Sequence, residues 1–303
     1  MSWVAIVLAG AALAACIGIL DKTIIHNYAR TPSTEPLAIG FTMPLVGTTL
    51  LLVFGIPESA TLEAVLLALV SGAFYGLGAH ILIHSLYTRE VSRAIPVYQT
   101  YPIFTALIAF FFLGERLGAV EWLAVLAVVV GAVLISSGSG TSRGFLPDKT
   151  FMLLMLGSLI EGSSFVFGKS ALNELPVLFA HALRMLALSG VLLAFNLRRP
   201  PLDDLISFFR TRSPALGYMA VNQFLVANGS LFLLLWGLSL GPVTLVTALS
   251  SLRTFFLVVF TIGLSLVWRG ALGEVTTRGT VAVKLASTAL IVGGAVVIAL
   301  GSG

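Results

Sequence analysis

This chain is poor in charge. Only 13 acidic and 17 basic residues occur among 303, 10% in all, against 58% hydrophobic residues. Globular domains carry about a quarter charged residues, so a water-soluble domain is excluded. Cysteine is almost missing: Cys16 stands alone in an apolar stretch, which rules out a disulfide framework and leaves it as a small packed residue. The four histidines and the few acids form no loop cluster, and neither a nucleophile constellation nor a phosphate loop occurs. No enzyme and no cofactor is therefore expected. The net charge of +4 is spread over short loops with no basic stripe, so nucleic acid is not an expected partner. Residues 1–20 lack a basic start and a polar stretch after a small-residue cleavage site, and read as a membrane helix.

What is present is apolar length. Mean hydropathy is +1.04, and runs of roughly 18 or more apolar residues are expected only where a helix crosses lipid. Such blocks fall near 2–20, 37–55, 63–87, 94–113 and 118–137, then near 150–168, 176–197, 215–239, 242–267 and 279–300. The predicted fold class is an all-α polytopic membrane protein of ten transmembrane helices, with the lipid bilayer as its surroundings. The loop from Arg198 to Ser213 carries Pro200-Pro201, Asp203-Asp204 and a Leu202/Leu205/Ile206/Phe208/Phe209 pattern that predicts a short interfacial helix. Small, flexible residues from Ser136 to Gly144 separate the fifth and sixth blocks.

The second five blocks repeat the first five. Arg93-Ala94-Ile95-Pro96-Val97 sets beside Pro242-Val243-Thr244-Leu245-Val246, which places Thr105 on Thr254 and Phe104 on Arg253. Leu20-Asp21-Lys22 meets Phe167-Gly168-Lys169, and Val130-Gly131-Ala132-Val133-Leu134-Ile135 meets Gly293-Gly294-Ala295-Val296-Val297-Ile298. The halves are 1–138 and 150–303, joined by a linker at 139–149. Five crossings per half set the second half upside down relative to the first, which predicts two inverted repeats and transport by alternating access. Without an ATP site, energy must come from gradients, as in a secondary active transporter.

Several stretches resemble the EamA-type members of the drug/metabolite transporter superfamily. They are Gly162-Ser163-Ser164-Phe165-Val166-Phe167-Gly168-Lys169 with Glu174-Leu175-Pro176, then Leu183-Arg184-Met185, and above all Pro102-Ile103-Phe104-Thr105-Ala106-Leu107 through Leu113-Gly114-Glu115-Arg116-Leu117. The resemblance implies a ten-helix carrier with a central cavity lined by helices one, three, four, six, eight and nine. This chain departs from the family's pattern at Glu161, where the family usually has Trp, and at Thr42, which occupies the first-repeat position equivalent to Arg184. Odd-numbered loops hold Lys22, Arg30, Arg89, Arg93, Arg143, Lys149, Arg198, Arg199, Arg210, Arg212, Arg269 and Arg278, whereas even-numbered loops hold Arg116 and Lys169. That bias points to termini outside, while the family resemblance implies termini inside.

Ionisable groups at membrane depth cost about 2.5–3.5 kcal/mol on insertion scales, so each should face protein or a wet cavity. Glu161, mid-way along helix six, reads as a substrate-binding or coupling site for a proton or cation, or else as a structural partner of Arg184. Arg184 on helix seven, one turn after His181, and Arg253 inside helix nine, among Ser250, Ser251 and Thr254, offer guanidinium forks suited to a carboxylate, or serve as scaffold. Lys284, near the start of helix ten, can snorkel to the interface. Helix three carries Tyr75, His80 and His84, with Gly72 and Gly76 allowing close helix approach. His80 is a candidate for the cavity wall, and no metal is expected because no third ligand completes the histidine pair. Tyr98, Gln99 and Tyr101 lie between Pro96 and Pro102, prolines that break the helix ladder where water or substrate can enter. Asn222 and Gln223 on helix eight read as binding residues or as interhelical hydrogen bonds.

A mixture of charges suits a zwitterion, with arginine taking a carboxylate and glutamate an ammonium. The expected function is export or exchange of small amino-acid-like metabolites across a bacterial inner membrane, with protons as a candidate coupling ion, by a monomer or dimer. The alternatives are efflux of organic cations, with Tyr75, Tyr98 and Tyr101 as an aromatic surround, and a non-transporting subunit or membrane enzyme.

Overall fold

The computed structural model describes residues 3–88, 97–137, 149–267 and 278–301, and no strand occurs among them. The helices are α1 (Trp3–Asn27), α2 (Thr34–Phe54), α3 (Leu62–Thr88), α4 (Tyr101–Phe112), α5 (Ala119–Ser137), α6 (Lys149–Ala171), α7 (Val177–Asn196) and α8 (Arg199–Arg210). After these come α9 (Ala215–Leu240), α10 (Val243–Ser250), α11 (Arg253–Val267) and α12 (Arg278–Gly301). Among the described residues, 7 spans are long and apolar enough to cross a membrane, and Tyr101–Phe112, Ala119–Gly131 and Ala286–Ile298 are shorter apolar helices. Leu52, Phe111, Phe112, Leu123 and Leu225 all point outward and are largely exposed. Water would not tolerate so wide an apolar surface, but lipid covers it, and helices satisfy their backbone groups internally as lipid requires. The chain is a multi-pass membrane protein.

Close helix approach organises the interior. α3 lies against both α6 and α7, and α2 lies against α7. A methyl added at Gly72 would stand 2.3 Å from the Arg184 carbonyl oxygen, and one at Gly76 3.0 Å from that of Leu188, so α3 meets α7 backbone to backbone through the glycine pair expected from the sequence. α5 pairs with α12 in the same way, where Gly131 abuts Ile291 and Gly294 abuts the Ala124 carbonyl. α1 packs on α9 and α11, and α4 on α6 and α10.

Helix limits match the apolar blocks, with informative differences. α1 continues to Asn27, beyond the expected end near 20, and α2 starts at Thr34, before the expected 37. Asp21 and Glu35 therefore lie within helices. Spans four and nine are interrupted, the first at Gln99–Thr100 and the second at Ser251–Leu252. Pro102 sits in the first turn of α4, where a missing N–H costs nothing. Within α9 the stretch Val221–Ala227 is wound as a π-helix, a widening common at functional sites. Pro96, Arg89, Arg93, residues 139–148 of the expected linker, Trp268 and Arg269 lie outside the described residues, as does the side chain of Lys284.

The short helix expected after Arg198 is α8. It buries Leu205 and Phe208 against Ile24, Ala38, Ala215 and Met219, while Ile206 and Phe209 stay exposed. Asp204 Oδ2 accepts hydrogen bonds from the Arg30 backbone N–H at 2.8 Å and the Thr34 hydroxyl at 2.7 Å, tying α8 to the start of α2.

Candidate substrate-binding site

Seven of the side chains singled out from the sequence lie along one chain of contacts in the interior: Tyr75, Tyr98, Gln99, Tyr101, Glu161, Arg184 and Arg253. The Tyr98 hydroxyl donates to Glu161 Oε2, joining the broken part of span four to the middle of α6. Gly78 and Gly157 make that pairing possible, because a methyl at Gly78 would meet the Tyr98 hydroxyl oxygen at 2.8 Å and one at Gly157 would meet the Tyr98 ring at 3.1 Å. Glu161, Arg184 and Gln99 are each 3% exposed and Tyr98 and Tyr101 1%, so these polar groups are withdrawn from bulk water.

Arg253 opens α11 directly after the interruption at Ser251–Leu252. Its Nη2 donates to Gln99 Oε1 at 3.3 Å, and Gln99 Nε2 donates in turn to the Thr254 hydroxyl at 2.7 Å. The guanidinium stands 5.9 Å from the centre of the Tyr101 ring, whose hydroxyl shares a 2.8 Å hydrogen bond with Ser250. Arg184 is held by lesser contacts, with Nη2 3.5 Å from the Ser164 hydroxyl and the guanidinium 5.8 Å from the Tyr75 ring centre. Its Nε is buried without a hydrogen-bond partner. Serines fix its floor reciprocally: Ser71 donates to the Ser164 carbonyl at 2.7 Å and Ser164 to the Ser71 carbonyl at 2.8 Å. Phe165 links the two arginine pockets through ring contacts with Tyr75 and Tyr101.

Both guanidinium charges act on Glu161 through space, yet among the described residues no carboxylate contacts either of them. Two cations thus face one carboxylate, and Tyr98 occupies an oxygen of that carboxylate. Such a site has spare donors for an anionic group and one anionic acceptor beside them.

His80, Asn222 and Gln223 are not brought to this cluster. His80 stacks on Phe195 at 4.7 Å and lies 3.3 Å from Asn196 Nδ2. Close to Arg184 in sequence, His181 turns toward α9, with its ring edge-on to Phe232 at 5.9 Å. Asn222 and Gln223 belong to a second polar cluster. Asn222 Nδ2 donates to Asp21 Oδ1 at 2.6 Å and Gln223 Nε2 to Glu35 Oε1 at 3.1 Å, while the Thr42 hydroxyl donates to Gln223 Oε1 at 2.6 Å. Asp21 and Glu35 escape a reading of the sequence because charge next to an apolar block reads as the end of the block. The Thr23-Ile24-Ile25 stretch after Asp21 is the one signal there that the helix continues.

Short loops are tied together around the start of α10. Glu115 accepts from the Val243 N–H at 2.6 Å, the Thr244 N–H at 3.2 Å and the Thr244 hydroxyl at 2.9 Å, so the loop after α4 caps α10. Nearby, Lys169 donates to the carbonyls of Leu238 at 2.6 Å and Gly241 at 3.0 Å. Losing a helix N-cap costs about 0.5–2 kcal/mol. Glu115→Ala should lower the thermal midpoint in detergent accordingly, with Glu115→Gln, which keeps an acceptor oxygen, falling between it and the wild type.

Residues 1–137 match the model of the EamA-like transporter family. No curated protein matches the chain. One solved crystal structure superposes with a TM-score of 0.69 at 19% identity, covering 99% of this chain and 97% of that one. At that identity the likeness shows the fold.

Proposed function

We propose that this chain is a secondary carrier of small amino-acid-like zwitterions working by alternating access, a reading supported by the match of residues 1–137 to the model of the EamA-like transporter family, whose members are membrane transporters of the drug/metabolite type. Helix pairing supports the inverted-repeat arrangement. Among the described residues, the seven spans and three shorter helices together make ten, of which the second meets the seventh and the fifth meets the tenth, each against its own counterpart. The contact of α3 with α6 has its equivalent in that of α9 with α1. A pseudo-twofold axis in the membrane plane gives that pattern. Aligned on the interruptions of spans four and nine, Arg253 corresponds to Tyr101, three residues from the Phe104 match read in the sequence.

The observation that carries the substrate class is the pair of guanidinium groups, Arg184 buried and Arg253 half-buried, with no carboxylate in contact among the described residues, beside Glu161. A carboxylate would take Arg253 and Arg184, and an ammonium would take Glu161. The aromatic faces of Tyr75 and Tyr101 already lie against the two arginines, which argues against a lipophilic cation resting there. A bacterial inner membrane is the setting this reading assigns. Proteoliposomes preloaded with a neutral amino acid should take up labelled amino acid by counterflow, and analogues blocked at either end should compete poorly. Uptake inhibited by lipophilic cations and indifferent to amino acids would sink the reading. Glu161→Gln should erase the preference for a zwitterion over the matching monocarboxylate, and a variant that keeps this preference would remove Glu161 from substrate contact.

A further inference from the structure

The second polar cluster brings two carboxyl groups together inside the bundle. Asp21 of α1 accepts a hydrogen bond from Asn222, and Glu35 of α2 accepts one from Gln223. Both amides belong to the π-turn of α9. Asp21 acts on Glu35 through space, so the two groups share one environment. Glu35 is 2% exposed, and its Oε2 is buried with no hydrogen-bond partner. Asn222, aimed at Asp21, is 1% exposed, and its Oδ1 is likewise buried and unpartnered. Buried polar atoms are ordinarily satisfied, and an orphan asks for an explanation. Both orphans here are acceptors. The Thr42 hydroxyl beside them is already given to Gln223 Oε1, so what the place lacks is a donor.

No cation balances the pair among the described residues. On the elements packed around it, Asp204 of α8 accepts from the Arg30 backbone and Thr34, and Arg199, Asp203 and Arg210 of that helix are exposed. Tyr218 of α9 lies against the Tyr28 ring at 6.0 Å. On α7, Arg184 is engaged with Ser164 and His181 with Phe232, and on α11 Arg253 is engaged with Gln99. The side chains of Lys22 and His26 lie outside the described residues. A buried carboxylate with no cation is driven to neutralise, and two that sense each other in a dry interior do not both stay ionised. A proton removes one charge and supplies an O–H donor at the same stroke.

We propose that Asp21 and Glu35 form a proton-binding pair, separate from the Glu161 cluster, whose proton drives the carrier. Glu35 holds the proton while α1, α2 and the π-turn are closed over it. Asp21, which is only partly buried, is the side on which it comes and goes: the O–H bond at Glu35 breaks, the proton passes to the Asp21 carboxylate, and from there it passes to water. An ionised pair is expensive to keep sealed, because the charges are desolvated with no opposite charge to repay it. Losing the proton therefore favours a state in which water reaches the contact between α1, α2 and α9. A ligand shifts a conformational equilibrium by its differential affinity for the two states, and here that ligand is the proton. Its role as the driving ion rests on the carrier reading, but its binding does not.

A proton bound by the native state and not by the unfolded one gives stability that is lost as pH rises through its release. The melting midpoint of the purified protein should therefore fall from mildly acid to mildly alkaline pH. Glu35→Gln copies the protonated form, keeping an acceptor for Gln223 and placing an N–H where Oε2 has no partner, and should flatten that fall. Asp21→Asn, which removes the neighbouring charge, should move it to lower pH. A folded Glu35→Gln variant with the wild-type fall overturns the site, and where that variant does not fold, an unshifted Asp21→Asn does so. In proteoliposomes Glu35→Gln should still exchange labelled neutral amino acid by counterflow. Its accumulation of that amino acid against a gradient, under an imposed pH difference, should drop by roughly tenfold or more, the size of a lost coupling between two sites. Accumulation that survives the substitution overturns the driving role. A wild type that carries no amino acid overturns the proposed function, and the melting series still decides the proton site.

Discussion

Gly72→Ala is expected to cost the protein about 3 kcal/mol of stability, the upper part of the range for overpacking a close-packed interior. A single methyl there would lie 2.3 Å from the Arg184 carbonyl oxygen and 2.6 Å from its Cα, both backbone atoms that no rotamer change can move. α3 and α7 would have to separate, and the separation would strip Arg184 of its contacts with Ser164 on α6 and Tyr75 on α3. The comparison that isolates this cause is Gly190→Ala, on the exposed side of α7, where an added methyl meets nothing within 4 Å. There the gain in helix propensity, up to about 1 kcal/mol, should hold the midpoint steady or raise it. Thermal unfolding followed by size-exclusion chromatography reads both, and equal shifts in the two variants would refute the backbone-contact argument.

Arg253→Gln should weaken zwitterion binding by roughly tenfold to a hundredfold, the equivalent of the 1.5–3 kcal/mol that a hydrogen bond to a charged group contributes. Arg253→Lys should rescue little of it, because an ammonium is a compact charge that cannot form the two parallel bonds of a guanidinium fork. The native fork is already oriented by Gln99 and Tyr101, so a lysine would also lose its seat. Dissociation constants from isothermal titration would show it, and an Arg253→Gln variant with unchanged affinity would move substrate recognition elsewhere.

Much of this cluster is legible in the amino-acid sequence. An ionisable residue flanked by Leu and Phe in a membrane-length block has to be gathered with others like it, and that rule alone points to Glu161, Arg184 and Arg253. The tyrosines and Gln99 follow from the prolines beside them. What the sequence hides has a common physical origin. A charge at the edge of an apolar block has two meanings, the end of a helix or a group inside the helix held by its neighbours, and only packing decides which. Asp21 and Glu35 are of the second kind, held by amides from a helix about two hundred residues later in the chain. The π-turn has no local sign either, since Val221-Asn222-Gln223-Phe224-Leu225-Val226-Ala227 holds neither glycine nor proline. Its widening accompanies the tertiary bonds of Asn222 and Gln223 and the grip of Asn228 on a carbonyl one wide turn back.

The tie between α8 and α2 sets a vertical coordinate. α8 carries Arg199, Asp203, Asp204 and Arg210 in 12 residues, too many to sink below the headgroups, so it floats at the waterline. Asp204 moors Thr34 to it, and Glu35 is the next residue along. Glu35 therefore rides at a fixed shallow draught beneath the surface, a short hop from bulk electrolyte, while Glu161 lies in the keel of the bundle.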